Sequence, residues 1–281
     1  MLAEQFTDPV AFHAEGPVWS EAWGGLRWVD MFAGDILSLD GDTVNRRNVG
    51  SFVAALRPRR AGGSVIALER GFALEDASGR LTRQDELWSG ADLRLNEGGC
   101  DPDGRFYCGS MAWDQRQGAG ALYRLDGDGR VTVVRDNVTI SNGLEWSPDG
   151  SLAYYNDTPT GRVAVFDYDA ESGLTGMRTF AEIPSEAGYP DGLTVDSEGG
   201  VWVALYAGGA VRRYTPAGVL DGVVEVGAHR VTACTFGGAR LDRLFITTSR
   251  EGLAPGEDAL AGSLFVADVG VTGRPVREFA G

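Results

Sequence analysis

The glycines of three acidic turns, Gly104, Gly150 and Gly199, stand 46 and 49 residues apart. Each closes a four-residue turn: Asp101-Pro102-Asp103-Gly104, Ser147-Pro148-Asp149-Gly150 and Asp196-Ser197-Glu198-Gly199. Each turn joins two short apolar runs, the arrangement of a hairpin rather than of a helix. A repeat of roughly 40–50 residues built from several short strands reads as a β-propeller blade. Placing Glu15, Ser51, Asn96, Asn142, Asp191 and Arg230 in register gives spacings of 36, 45, 46, 49 and 39, so six units fill the chain. The expected fold is all-β: a six-bladed β-propeller with four-stranded antiparallel blades, one domain over residues 1–281.

The strand expectations follow from apolar runs bounded by Gly, Asp and Pro. They fall at 26–30, 36–39, 51–56, 64–68, 71–74, 105–109, 120–125, 142–146, 151–155, 162–168, 191–195, 201–205, 210–214, 231–236, 244–248 and 263–267. Residues 276–279 are expected to share a closing blade with an N-terminal strand at 2–6, which would remove exposed sheet edges. The chain holds 41 glycines in 281 residues, a density suited to many tight turns. A β-sandwich would need fewer and less regular units, and a parallel α/β fold would need helices between strands.

The charge balance narrows the chemistry. The formal net charge is −15, against a nucleic-acid partner, since phosphate backbones recruit basic patches. All 25 basic residues are arginine, which excludes a Schiff-base or phosphate-loop lysine. Cys100, Cys108 and Cys234 form no CxxC pair, and their odd count reads as reduced core thiols. The first nine residues have no basic region or long apolar run, and no stretch approaches a membrane span of about 20 apolar residues. The expectations are cytoplasmic residence, no membrane partner and a monomer.

Glu15, Asn142 and Asp191 share a local grammar: Glu15-Gly16-Pro17-Val18-Trp19, Asn142-Gly143-Leu144-Glu145-Trp146 and Asp191-Gly192-Leu193-Thr194-Val195. Each begins an expected innermost strand, so radial arrangement brings the three oxygen-bearing side chains to one channel mouth. Trp19, Trp146 and Val195 would then face the packing between blades. Two carboxylates and an amide oxygen make a hard donor set suited to Ca²⁺, Mg²⁺ or Mn²⁺, with Zn²⁺ and Fe²⁺ as further options. Asn and Asp also cap turns, but a turn role gives no reason for Glu15. Arg94 and Asn96 alternate about Leu95 and can face one side of an extended segment, there to bind an oxygen-rich substrate. A surface ion pair is the alternative for Arg94. His13 and His229 form no ligand pair by spacing and are expected to be structural. Gly109-Ser110-Met111 is not the GxSxG of a nucleophile elbow, so Ser110 is expected to be structural as well.

Several of these motifs, in order along nearly the whole chain, resemble those of the six-bladed sugar lactonases, the family of gluconolactonase, the senescence marker protein and the luciferin-regenerating enzyme. They are Ala14-Glu15-Gly16-Pro17-Val18-Trp19, Arg94-Leu95-Asn96-Glu97-Gly98, Ser141-Asn142-Gly143-Leu144 and Tyr189-Pro190-Asp191-Gly192-Leu193. The resemblance implies one divalent cation in the central channel on Glu15, Asn142 and Asp191, and a small sugar lactone held by Arg94 and Asn96. Two features depart from the animal members: Glu97 stands where aspartate is common, and 113–118 is too short to carry their additional substrate-contacting glutamate, a role not transferred to Asp114. The implied reaction is hydrolysis of an aldonolactone in carbohydrate catabolism, with Asp191 or a cation-activated water in the base role. The alternatives are hydrolysis of another lactone or a phosphoester, and a non-enzymatic propeller that binds a protein at its rim.

Overall fold

The computed structural model describes residues 1–41 and 43–281. Six four-stranded antiparallel sheets form the six blades. Blade one comprises Ala14–Ser20, Gly25–Asp30, Asp35–Asp40 and Thr43–Asn48. Blade two follows with Val53–Pro58, Ser64–Leu68, Gly71–Glu75 and Leu81–Glu86. Blade three holds Leu93–Cys100, Phe106–Ala112, Gly120–Leu125 and Val131–Val138. Blade four holds Ser141–Trp146, Leu152–Asp157, Arg162–Asp169 and Gly173–Glu182. Blade five holds Tyr189–Val195, Val201–Tyr206, Ala210–Tyr214 and Leu220–Glu225. Among the described residues there is no α-helix, and no helix is long and apolar enough to cross a membrane.

Blade six is assembled from both ends of the chain. Val231–Gly237, Arg243–Thr248 and Phe265–Asp268 are joined at the outer edge by Glu4–Gln5, in register Glu4 to Val266 and Gln5 to Phe265. The N-terminal half of the expected closure is therefore present. The C-terminal half is corrected: residues 276–279 add no strand to that blade. The tail instead crosses the far ends of the inner strands. Arg277 pairs with Glu145 at 2.9 Å, and the Phe279 amide donates to the Pro58 carbonyl at 2.8 Å. Phe279 is buried in the apolar cluster of blades two and three, and seating that ring outweighs extension of a sheet already four strands wide.

The core lies between neighbouring sheets, so the middle strands are buried on both faces. Trp28 packs between blades one and six, Trp146 between three and four, and Trp202 between five and six. Trp146 and Val195 are buried as expected, and the half-buried Trp19 stacks on Phe245 with ring centroids 6.0 Å apart. Gly104, Gly150 and Gly199 adopt φ of +82°, +77° and +84°, the left-handed region a side chain disfavours. All three cysteines are free and buried. Ser110 is fully buried, its hydroxyl accepting from the Ala121 amide at 3.0 Å, a structural role.

Candidate functional site

Each innermost strand slips its register where it enters the channel. In blades one, three, four and five, two inner-strand residues oppose one on the neighbouring strand, a bulge that bends the strand and re-aims its side chains. The bulged pairs are Asn96-Glu97, Asn142-Gly143 and Asp191-Gly192 in blades three, four and five, and Gly16-Pro17 in blade one. By pairing, then, Asn96, Asn142 and Asp191 are the equivalent positions, and Glu15 stands one residue earlier. The left-handed φ of Gly16 (+51°) and the longer glutamate side chain bring its carboxylate to the same cavity. Ser51 and Arg230 precede their inner strands; Ala54 and Thr232 are the bulged residues of blades two and six. The glycines after Asn142 and Asp191 serve close approach. A Cβ on Gly143 would lie 2.6 Å from the Leu193 nitrogen, and one on Gly192 2.5 Å from the Ala233 Cβ.

Glu15, Arg94, Asn96, Asn142 and Asp191, all buried, line one cavity of about 550 Å³. A hydrogen-bond chain orients the two asparagines. Thr158 Oγ1 donates to the Pro190 carbonyl at 2.8 Å and accepts from Asn142 Nδ2 at 2.7 Å. With its amino group committed to Thr158, Asn142 presents Oδ1 inward, where it accepts from Asn96 Nδ2 at 2.8 Å. Asn96 Nδ2 also reaches the Ser141 carbonyl at 2.7 Å. The Arg94 guanidinium donates to Asn96 Oδ1 and is boxed by the rings of Phe32, Phe52 and Trp113 at 5.7, 5.3 and 5.1 Å. The surface ion-pair alternative for Arg94 is thereby removed.

The carboxylates are unbalanced. Burial raises the Glu15 carboxyl to about 7, although the Gly16 amide donates to Oε2 at 2.9 Å. Burial, then the charges of Glu15 and Glu97, holds Asp191 well above the usual carboxylate range. Glu97 is raised likewise by burial and by Glu15. Asp191 Oδ1 and Glu97 Oε2 are buried without a hydrogen-bond partner. Burial lowers Arg94 to about 10, opposed by Glu251, Glu15 and Asp191. Among the described residues no group of three or more His, Cys, Asp and Glu side chains is arranged to hold a metal ion; the oxygen set here comprises two carboxylates and an amide. That chemistry fits a hard dication, which would match the crowded charge and take up the orphaned Asp191 oxygen.

Several cavity residues escape sequence reading. His13, expected to be structural, lines the cavity with Nδ1 2.7 Å from Ser249 Oγ and 3.3 Å from Glu251 Oε2. Burial and then Arg94 lower it to about 3, so it is neutral at ordinary pH. Thr158, Tyr206 and Glu251 lie at strand ends and loops without a periodic signal. His229 is exposed, its amide held by Asp258. Asp114 is exposed too and pairs with Arg116 outside the cavity.

Comparisons with known proteins place the chain in a family. A profile described as the SMP-30/Gluconolactonase/LRE-like region matches residues 13–250. A pentonolactonase of Haloferax volcanii is 36% identical over 98% of this chain and 97% of its own. A 6-deoxy-6-sulfogluconolactonase of Pseudomonas putida is 36% identical over 95% of this chain and 94% of its own. Among solved structures, the calcium-binding protein regucalcin from Agrobacterium tumefaciens superposes with a TM-score of 0.92 at 28% identity, covering 99% of this chain and 97% of that one. The chain therefore belongs to the SMP-30/gluconolactonase/LRE-like family of six-bladed propellers, a membership that supports a lactonase-like hydrolytic role.

Proposed function

We propose that the protein hydrolyses a sugar lactone to the open sugar acid, with a divalent cation held by Glu15, Asn142 and Asp191. The observation that carries this reading is the buried, unpartnered Asp191 Oδ1 beside a second buried carboxylate in a cavity that also holds Arg94. Relatives named for lactone hydrolysis, one a pentonolactonase and one a 6-deoxy-6-sulfogluconolactonase, support the sugar-lactone class.

The reaction adds the oxygen of water to the lactone carbonyl carbon and breaks the ring carbon–oxygen bond. The ring oxygen leaves as a hydroxyl, and at neutral pH the product carboxyl releases one proton. When bound, the cation supplies electrophilic assistance to the carbonyl as its oxygen gains negative charge. Asp191 takes the proton from the attacking water at the carboxylate oxygen that the cation would leave free. Arg94 and Asn96 orient the lactone: the aromatic box fixes the guanidinium plane, and the bond to Asn142 fixes the Asn96 amide. Asn142 is set by Thr158 before any substrate arrives. Glu97 lines no part of the cavity and takes no part in these steps.

The test is proton release during hydrolysis of aldonolactones, measured before chelation, after it, and after return of Ca²⁺, Mn²⁺, Mg²⁺, Zn²⁺ or Fe²⁺ singly. Turnover is expected to disappear on chelation and return with at least one cation. Undiminished turnover in the chelated protein would overturn the cation role, and a panel without any hydrolysed sugar lactone would overturn the substrate class.

A further inference from the structure

At the cavity rim, blades five and six build a second cluster that the reaction above does not use. Tyr189 and Tyr206 are direct cross-strand partners, and both line the cavity. Tyr189 is two residues before Asp191 on the same inner strand, so the rim lies about 7 Å along that strand from the reacting carboxylate. Arg230, just before the inner strand of blade six, reaches over the Tyr206 ring at 5.5 Å. Its Nη1 donates to the Tyr206 hydroxyl at 3.1 Å and its Nη2 to the Gly252 carbonyl at 3.1 Å. Gly252 makes the room: with φ of +68°, an added Cβ would lie 2.6 Å from Arg230 Nη1.

This guanidinium is anchored but not neutralised. Among the described residues no carboxylate forms an ion pair with Arg230. The acidic group best placed to do so, Glu251, turns its Oε2 to His13 Nδ1 instead. A guanidinium has five N–H donors in a planar fork, and the two bonds above leave others uncommitted. The Arg94 fork, by contrast, is boxed by aromatic rings and tied to Asn96 at the other side of the site. Two arginines thus serve one cavity, one beside the reacting carboxylates and one at the rim. The field of Arg230 is felt inside, where it opposes the rise in the Glu251 pKa.

We infer that Arg230, with Tyr206 and Gly252, forms a subsite for an anionic group at the end of the lactone remote from its ring carbonyl. The shared chemistry is a carboxylate, sulfonate or phosphate, which a guanidinium fork binds through charge-assisted hydrogen bonds. Neutral hydroxymethyl-terminated lactones lack that partner. This inference rests on the hydrolase reading above and adds to it the class of substrate preferred.

The experiment compares kcat/KM for lactones of one ring size whose terminal carbon carries a hydroxymethyl, carboxylate, sulfonate or phosphate group. The wild-type protein is expected to prefer at least one anionic form, and the arms of the series identify which. Arg230→Leu is expected to lower the ratio of anionic to neutral kcat/KM about tenfold or more, with Arg230→Lys recovering part of it. Gly252→Ala, which displaces the guanidinium, is expected to move the ratio the same way. Thermal melts establish that each variant is folded. A wild-type preference for the neutral lactone, or a ratio within twofold of wild type in folded Arg230→Leu, overturns the subsite. If the wild type hydrolyses no lactone, the hydrolase reading fails by itself. Calorimetry with the open-chain acids then decides the subsite separately: tighter binding of the doubly acidic sugar acid than of the singly acidic one, lost in Arg230→Leu, upholds it, and equal binding overturns it.

Discussion

Asn96 on blade three donates its amide hydrogen to Asn142 Oδ1 on blade four across 2.8 Å, tying the residue proposed to orient the substrate to one proposed to hold the cation. Loss of either partner therefore disturbs both tasks. Asn96→Ala is expected to weaken cation binding about tenfold, as loss of a group orienting a ligand commonly does. Turnover should fall further, because Arg94 also loses its Asn96 contact. Calorimetric cation titration and kcat/KM on one preparation would check this; an unchanged cation affinity would show that Asn142 holds its orientation alone.

Thr158 acts one step further out. Its hydroxyl must donate to the Pro190 carbonyl, which leaves it only an acceptor for Asn142 Nδ2. Thr158→Val keeps the shape but removes both bonds, freeing the Asn142 amide to rotate. Cation affinity should fall about tenfold, and Thr158→Ser should recover most of it.

Asp191→Asn separates function from stability. An unpartnered buried carboxylate destabilises the cation-free fold, so its replacement by a neutral amide is expected to stabilise the chelated protein by about 1–3 kcal/mol. The wild type should gain about 2.7 kcal/mol at a cation concentration one hundred times Kd, and the variant much less. Melts with chelator and with added Ca²⁺ or Mn²⁺ measure both, while lactone turnover should be largely lost in the variant. A variant that melts below the wild type in chelator would contradict the assignment.

At Gly192 the inner strands of blades five and six approach closely. Gly192→Ala puts a methyl 2.5 Å from the Ala233 Cβ and 2.8 Å from its Cα, and neither atom sits at the end of a flexible side chain. Overpacking of this kind costs about 1–3 kcal/mol. Urea unfolding should show that loss, and Gly24→Ala, where nothing lies within 4 Å, serves as the uncrowded comparison despite its positive φ.

The three thiols give a pH prediction. Burial raises Cys100, Cys108 and Cys234 above their ordinary 9.0 in the folded protein. A folded pKa above the unfolded one means that their contribution to stability is complete below pH 9 and declines as pH rises beyond it. At pH 8 the native protein should leave a chromogenic disulfide reagent unreacted, and three thiols should appear on denaturation. A rapidly titrating thiol in the native state would refute their burial.

Much of this was legible in the sequence because turn glycines and apolar runs both carry the blade period. The inner three strands of most blades lie within a few residues of their expected places. The outermost ones, such as Thr43–Asn48 and Leu81–Glu86, are largely exposed and polar and leave no apolar alternation to read. The bulges explain the one-residue offset of Glu15, since spacing counts residues along a strand and pairing counts them across it. Glu15, Arg94, Asn96, Asn142 and Asp191 reach one cavity because each is fixed to an inner strand. Arg230, Glu251 and Thr158 come from the connections between strands, where topology and not periodicity decides what meets.

The C-terminal tail gives the channel a direction. Arg274 to Arg277 lie across the far ends of the inner strands beside Trp146 and Val195, whereas Glu15, Asn142 and Asp191 line the large cavity where those strands begin. The two ends of the propeller axis are thus unlike: one is crossed by chain, the other is lined by polar side chains. On the proposed reading, the lactone enters and the longer, newly charged sugar acid leaves at the cavity end. Product held there shuts out the next substrate, so inhibition by the sugar acid should be competitive.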